Sequence, residues 1–508
     1  MDAARSAAGI RALPDPLLCA IFALAGRPEG PSLTLVSKHW RRCFFACPGL
    51  WSSLTLRPLP PSSPDAAAWL AGKRVLLRRV GPSLQELSLL CAEEPEEGAD
   101  LSGGEGRAAA AAAGAPPAGS AAPPSAAAFQ LAALLDSLQP QLLPQLRSLA
   151  VDFTQLPAGA AATLRPLGQL QGLALHSRGP AAIPAEVVQT AAQSLRHLTS
   201  LELSSFSARL PALPQLARLS ALVELVLTEG QSDEGDEEEV PASPELEAWQ
   251  APPMQPPAPA SFPALKLCQL SSRPSLMQVA GQYLHALELA VTPGGEAELF
   301  VSGLRSSDGS ALATLLAAAL PPSAGTSLTQ CCLNNCWLAA GQLQGAGALA
   351  PLRALSVQSC KSQQLEEALA ELLRQAPRLT ELRVIECLGA SVPACVQQRG
   401  GLRSLFLSWN RRLRALPPGP YLADLRELSL FGTGFRALPP AITAAGALTA
   451  LSLANTELAL TSQDIELLAS RLPQLRRLNL RGFGPDSIRT PASVLHTLRA
   501  RMPQLQVL

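Results

Sequence analysis

The feature that most constrains this chain is a short apolar frame, Leu-x-x-Leu-x-Leu, that returns along most of its length. Its fullest copy places Leu402, Leu405 and Leu407 ahead of Asn410. The frame begins again at Leu425, Leu448 and Leu475, and earlier at Leu84, Leu146, Leu170, Leu198, Leu222, Leu284, Leu328, Leu352 and Leu379. The starts at 352, 379, 402, 425 and 448 lie 27, 23, 23 and 23 residues apart. An internal period of that size dictates the architecture and is read before any local signal. The Leu-x-Leu end of each copy alternates, which is strand spacing. A bundle of leucine-rich helices would need apolar residues at 3.6-residue spacing throughout.

One copy cannot bury its own apolar face, so neighbouring copies stack and share a continuous core. These are the marks of leucine-rich repeats: an α/β solenoid with parallel strands on a concave face. At the ninth place of the frame the chain turns away from the strand, and a small polar side chain or thiol there can satisfy turn backbone groups. Cys336, Cys360, Cys387 and Asn410 occupy that place. The return segments differ. Leu365, Ala368, Leu369, Leu372 and Leu373 predict a helix ended by Pro377. Ile465, Leu468, Ala469 and Leu472 predict another, capped by Thr461 or Ser462, and Thr490-Pro491 opens a last one through Met502. The Leu-Pro-Pro stretches from Leu413 to Tyr421 and from Phe435 to Ile442 predict extended or turn-like returns.

Composition narrows the function. Apolar residues make up 47% of the chain and aromatics 4%, so leucine and alanine must build the core. Lysine plus arginine number 40 and aspartate plus glutamate 40, a net charge of zero that gives no reason to expect nucleic acid as a partner. The 11 cysteines are odd in number, and neither Cys43 and Cys47 nor Cys332 and Cys336 has a second pair at zinc-site spacing. Buried reduced thiols are expected, with no metal and no cofactor. No apolar run is long enough for a membrane span, and Met1 to Ile10 has no apolar signal core, so a cytoplasmic or nuclear protein with no membrane partner is expected. His39, His176, His197, His285 and His496 fall in unrelated frames, and no phosphate loop, metalloprotease motif or nucleophile elbow is present. The chain reads as a binder and not an enzyme.

Six segments follow from composition: a helical module at 10–56, a transition with the first repeat at 57–90, a low-complexity linker at 91–128, repeats at 129–228, an acidic and proline-rich insertion at 229–263, and repeats at 264–508. The linker holds almost no large apolar residue and is expected to be disordered. The insertion reads as a solvated loop, with an acidic interaction segment as the alternative. Residues 301–326 are rich in glycine, serine and alanine and could hide a degenerate repeat.

The module has its own pattern. Asp15 can cap a helix that begins at Pro16 and carries Leu17, Leu18, Ile21 and Phe22. Leu33, Val36, Trp40 and Phe44 form a second stripe, followed by Pro48-Gly49-Leu50-Trp51. It is either a cap on the repeats or a docking module that a partner completes. Its three blocks, Leu13-Pro14-Asp15 with Leu17, Leu18, Ile21 and Phe22, then Leu35-Val36-Ser37-Lys38 with Trp40-Arg41, then Pro48 with Leu50-Trp51, resemble an F-box. An F-box followed by leucine-rich repeats resembles the substrate receptors of SCF-type ubiquitin ligases. That resemblance implies docking on a Skp-like adaptor, and through it a cullin, by residues among Leu13, Pro14, Leu17, Leu18, Ile21, Phe22, Val36, Trp40 and Trp51. Some of these would pack internally. Gly26, Pro28, Gly30 and Pro31 depart from the family's pattern, because two glycines and two prolines weaken a helix there.

The exposed strand positions are where a protein substrate would bind. Arg147, Arg353, Arg403, Arg426 and Arg476 each follow the first leucine of a copy and would stack into a partly basic column. Glu381 and Glu427 sit one residue further, and Phe406, Trp409 and Asn479 add an aromatic and polar patch. Such a column could grip an acidic or phosphorylated segment, the plainer reading being a solvated face. The repeats equally suit an interaction scaffold in signalling or on a cytoskeletal structure, without ligase duty.

Overall fold

A computed structural model describes residues 13–27, 32, 35–57, 65–90, 131, 133–135, 138–153, 156, 159–177, 183–206, 213–229, 255–272, 277–280, 282–305, 311–320, 326–338, 347–360, 364–482 and 490–508. The expected linker at 91–128 and most of the insertion at 229–263 lie outside them. The chain divides into two compact units, Met1–Ala251 and Pro252–Leu508. Both are built from the repeat, and the chain has an α/β leucine-rich-repeat fold. No described helix is long and apolar enough to cross a membrane.

The first unit opens with three short helices, α1 (Asp15–Ala25), α2 (Lys38–Ala46) and α3 (Pro48–Trp51). Pro14, not Asp15, holds the N-cap position of α1. A proline already fixed in extended backbone can serve there, and the Asp15 carboxylate turns instead to His39. Ser37 caps α2 by accepting from the Trp40 N–H at 3.0 Å. Leu18 and Phe22 are fully buried. The Phe22 ring meets Trp40 and Phe44 edge-on at 5.5 and 5.7 Å, an arrangement that suits aromatic quadrupoles. The Trp51 indole N–H donates to the Phe44 carbonyl at 2.8 Å, so its one polar atom is satisfied in the core.

Trp51 also belongs to the repeat. Trp51-x-x-Leu54-x-Leu56 is the frame with tryptophan in first place, and β1 (Ser53–Leu56) pairs in parallel with β2 (Glu86–Leu89). The Ser52 carbonyl accepts from both Gln85 and Glu86 N–H groups, as the Gln85 carbonyl accepts from Arg147 and Ser148 one repeat on. The module therefore ends inside the first repeat, and the boundary expected after residue 56 does not separate the two. Parallel pairing continues through β3 (Ser148–Phe153), β4 (Gly172–Ser177), β5 (Ser200–Phe206) and β6 (Glu224–Glu229). Leu87, Leu149, Leu173, Leu201 and Leu225 stand in one row and are buried.

The second unit starts with β7 (Leu267–Ser271), a small hairpin of β8 (Met277–Val279) and β9 (Gln282–Leu284), β10 (Ala286–Val291) and β11 (Glu296–Ser302). Here the chain reverses: β10 runs antiparallel to both β7 and β11. The frame at Leu284 does form a strand with Leu287 and Leu289 buried, but not a parallel one. Alternation fixes which side chains face inward and is silent on direction. Only the turn at residues 292–295 joins β10 to β11, too short for a parallel crossover. From β11 the pairing is parallel through β12 (Ser327–Asn334), β13 (Ala354–Gln358), β14 (Glu381–Ile385), β15 (Ser404–Phe406), β16 (Glu427–Ser429), β17 (Ala450–Ser452), β18 (Arg477–Asn479) and β19 (Gln506–Val507). The stretch at 301–326 supplies the end of β11 and a return helix, Ala311–Ala319.

The expected return helices form at Leu365–Gln375, Ser462–Arg471 and Ala492–Arg501. Thr461 and Asp464 make a capping box on the second. The proline-rich returns give single 3-10 turns, Pro420–Leu422 and Pro440–Ala444. The eighth place of successive repeats has positive φ: Gly303, Asn335, Ser359, Glu386, Trp409, Gly432 and Asn455. A side chain is barred at Gly432, where a Cβ would stand 2.9 Å from the Trp409 ring. At the ninth place, Cys336 N–H donates to Cys360 Sγ at 3.3 Å and Cys360 N–H to Cys387 Sγ at 3.2 Å. Cys387 and Leu388 N–H groups donate to Asn410 Oδ1 at 2.9 and 2.7 Å, and the Asn410 amide donates to Val384 and Leu407 carbonyls.

Replacing Asn410 by alanine strands several of these buried backbone groups. Asn410→Ala is expected to lower unfolding free energy by about 3 kcal/mol, since each unsatisfied buried group costs roughly 1–3 kcal/mol. Urea unfolding of the full chain reads this, with exposed Arg412→Ala expected within about 0.5 kcal/mol of the parent.

Candidate functional site

Two surfaces are candidates for binding. On the module, α1 divides into two stripes: Leu18 and Phe22 face the core, while Leu17, Ile21 and Leu24 lie at i, i+4 and i+7 on another face. Leu17 is 49% exposed and Leu24 90%; ahead of α2, Leu35 is 78% exposed and Val36 46%. Of the nine adaptor candidates, Leu18, Phe22, Trp40 and Trp51 are core residues and are withdrawn as contacts. Pro14, Leu17 and Val36 are exposed, and Leu13 and Ile21 half-buried. Leu24 and Leu35 were missed as candidates; the i+7 spacing from Leu17 is the signal that would have found Leu24.

Asp15, His39 and Cys43 bring three ligand-type atoms within 4.8 Å of one another on the same module. Hydrogen bonding accounts for the group without a metal. Arg42 has only donors, so it donates to His39 Nδ1 at 3.0 Å, which leaves the imidazole proton on Nε2 facing Asp15 Oδ1 at 3.1 Å.

The second surface is the strand face of the second unit, on the side away from the leucines. Register sets its side chains in rows. One row runs Ala290, Glu298, Gln330, Ala354, Glu381, Ser404, Glu427, Ala450 and Arg477; the next runs Glu288, Phe300, Cys332, Ser356, Arg383, Phe406, Ser429, Ser452 and Asn479. Over β7 and β10 to β14 they line an open concavity of about 360 Å³. Short side chains, Cys332, Ala354 and Ser356, make its floor. Longer ones stand at either side, Glu288, Glu298 and Phe300 against Glu381 and Arg383. Arg383 bonds Glu381 at 2.7 Å and lies over the Phe406 ring at 4.6 Å. Gln330 donates to Glu298 at 2.6 Å. The equivalent rows of the first unit carry mostly serine, threonine, glycine and alanine, with His176 Nδ1 3.1 Å from Ser204 Oγ.

The expected substrate residues do not form one patch. Arg353, Arg403, Arg426 and Arg476 lie one residue ahead of their strands, at the lead-in edge. There threonines interrupt them, because backbone bonds link Arg353, Thr380, Arg403, Arg426, Thr449 and Arg476 in that order, leaving Arg403 and Arg426 adjacent. Arg353 is paired with Glu296 at 3.3 Å; among the described residues Arg403, Arg426 and Arg476 have no ion-pair partner. Arg147 belongs to the first unit and stacks between Gln85 and Gln171, outside this column. Glu427 is on the face but paired with Arg477 at 2.9 Å. Trp409 is not on the face rows: it sits at the left-handed turn position and packs edge-on against Phe431 at 5.0 Å. Asn479 is on the face, its side-chain Oδ1 accepting from the Arg481 N–H.

The ninth-place thiols are hydrogen-bonded to their neighbours, which holds Cys360 below the ordinary thiol range. Cys336 and Cys387 are held above the ordinary thiol range first by hydrogen bonds with Cys360 and then by burial. Burial pushes Cys268 and Cys331 up to about 12. Cys332, on the floor of the concavity, is raised by partial burial, offset by its hydrogen bond with Ser356.

No protein-family model matches the chain, and no curated protein matches it. Solved structures similar to it include an LRR protein of Leptospira interrogans, at 14% identity and a TM-score of 0.39, covering 92% of this chain and 91% of that one. An internalin of Listeria monocytogenes is 13% identical with a TM-score of 0.33, over 90% and 86% of the two chains. A chain of the Drosophila Toll–Spatzle complex is 13% identical with a TM-score of 0.38, over 72% of this chain and 42% of that one.

Cys331 and Cys332 are neighbours that point to opposite sides of β12. With iodoacetamide at pH 8, where a raised thiol pKa leaves less thiolate, Cys332 should label slowly and Cys331 and Cys268 should stay unlabelled in the folded chain. All should label in urea. Mass spectrometry of the digested protein reads each site, and equal labelling of Cys331 and Cys332 before unfolding would contradict the register.

Proposed function

We propose that this chain is the substrate-recognition subunit of an SCF-type ubiquitin ligase. The helical module docks on a Skp-like adaptor, and through it a cullin, while the repeat face holds a protein substrate. The observation that carries the reading is on the module. Its aromatic core packs without them, yet it leaves Leu17, Leu24, Leu35 and Val36 in solvent. A helix that merely capped the repeats would turn such residues inward, because burying one leucine stabilises by roughly 1.5–3 kcal/mol. Exposed apolar side chains of this size on a small helical unit suit a groove-forming or helix-packing partner. The F-box resemblance supplies the partner's identity.

The chain then contributes proximity and no bond chemistry of its own. Holding a substrate beside a charged enzyme turns an encounter into a local event. The other reading, a repeat scaffold without ligase duty, uses the same face and leaves the exposed leucines to some other protein.

The two readings part in a capture experiment with the full chain from cell extract. The parent is expected to bring down a Skp-like protein. Leu17→Asp/Val36→Asp is expected to reduce the yield by about tenfold or more, because a charge set in an apolar contact is costly, while the thermal unfolding curve stays unchanged. A parent chain that captures no such adaptor overturns the receptor reading in favour of the scaffold.

A further inference from the structure

The strand face of the second unit is lopsided in charge. Arg403, Arg426 and Arg476 flank its later strands, whereas Glu288, Glu296, Glu298 and Glu381 gather on the earlier ones. Two of these acids are already matched, Glu296 by Arg353 and Glu381 by Arg383. The other two are not. Among the described residues Glu288 has no ion-pair partner, and Glu298 has only the neutral amide of Gln330. Register places Glu288 directly opposite Phe300 across β10 and β11, with Glu298 two residues before Phe300 on the same face. The carboxylates alone would be a solvated patch. The walled volume beside them, floored by Cys332, Ala354 and Ser356, and Phe300, the neighbour of both, make a seat.

We propose that this concavity seats a lysine or arginine side chain of a bound protein segment. The proposal rests on the reading that the repeat face holds a protein, and it names what that face selects. The chemistry is complementary at each wall. Two uncompensated carboxylates attract a cation and can accept from several of its N–H groups. The Phe300 face adds the attraction of a ring quadrupole. The opposite wall does not compete, because Arg383 is committed to Glu381 and to the Phe406 ring. Three strand spacings separate β11 from β14, roughly 14 Å, wide enough for one long side chain and its neighbours. An acidic or phosphorylated group would meet Glu288 and Glu298 unscreened. The expected acidic partner therefore does not fit this part of the face, and any such group belongs further along, beside Arg403 and Arg426.

The test uses the full-length chain and two fluorescein-labelled octapeptides, one alternating glycine with arginine and one alternating glycine with glutamate, read by anisotropy at low salt. The arginine peptide should bind more tightly than the glutamate peptide and weaken as salt rises. Glu288→Gln/Glu298→Gln should weaken it about tenfold, and Phe300→Leu, which leaves charge untouched, about threefold. Glu367→Gln/Asp424→Asn removes the same charge from exposed positions away from these rows and should change binding less than about twofold. Circular dichroism melting confirms that each variant is folded. Equal losses in the two double variants, or equal binding of both peptides, would overturn the proposal. Adaptor capture in the same set separates this from the ligase reading. Glu288→Gln/Glu298→Gln should leave capture intact, and Leu17→Asp/Val36→Asp should leave peptide binding intact. Peptide binding that persists in a chain capturing no adaptor keeps the seat and discards only the ligase.

Discussion

The fold depends on how each repeat leaves its strand. At the eighth place the backbone turns left-handed, a conformation that costs a non-glycine residue about 1 kcal/mol or more. The turn is kept because its N–H finds an acceptor in the following repeat: Asn335 reaches the Gln358 carbonyl, Ser359 that of Ile385, Trp409 that of Phe431 and Asn455 that of Arg481. At the ninth place the dependence runs the same way, with the Cys336 N–H closed by Cys360, Cys360 by Cys387, and Cys387 by Asn410. Each of these repeats of the second unit is thus completed by the one after it. Asparagine closes more than a thiol can, because it both accepts and donates and so also satisfies the Val384 and Leu407 carbonyls. Where threonine follows, at Thr433 and Thr456, the hydroxyl turns back to its own strand at Leu430 and Leu453, and the coupling between repeats falls to the backbone.

Stacking of this kind uses the leucines and the turn, and leaves the outward strand positions free. That freedom explains why the two units differ. In the first, the outward rows are mostly small side chains interrupted by Glu86, Glu202 and Glu224. In the second, they carry paired and unpaired charges with two phenylalanines. The reversal at β10 contributes directly. A parallel strand would reach its neighbour through a long return, but the tight turn at residues 292–295 sets β10 beside β11 with Glu288 facing Phe300.

The repeat, its strands and its return helices were legible because their signals are local: leucine spacing for the strands, i, i+3, i+4 stripes and a Thr461 cap for the helices. Three features were not. β11 lacks the first leucine of the frame and offers only Ala297, Leu299 and Val301, a pattern that strand pairing alone completes. The direction of β10 is invisible to alternation. The left-handed turns were hidden because most of their residues are not glycine, so nothing in Glu386 or Trp409 announces positive φ. At the candidate sites, sequence identified which residues point outward but not which are already spoken for. Glu427 and Arg353 fit the frame as well as Arg403 does, yet each has an ion-pair partner from another repeat, Arg477 and Glu296. Pairing across repeats depends on register, which a frame implies, and on side-chain reach, which it does not.

Trp51 gives the module its bearing on the repeats. The same side chain stacks on Phe45 at 5.8 Å, lies under the Arg27 guanidinium at 5.1 Å and fills the first apolar place of the first repeat. Arg27 in turn donates to the carbonyls of Leu50 and Ser53, so the end of α1 is tied to the start of β1. A docking module on a flexible tether would present its ligand over a wide volume and dilute any gain from proximity. Among the described residues, α3 runs into β1 with only Ser52 between them. The surface carrying Leu17 and Leu24 shares a core with the strand that begins the sheet, so a partner seated on α1 is held in one orientation to the repeats that follow β1. Tryptophan is the residue that can do this, because its indole is large enough to reach both the aromatic core and the leucine row, and its single N–H is satisfied within reach of Phe44.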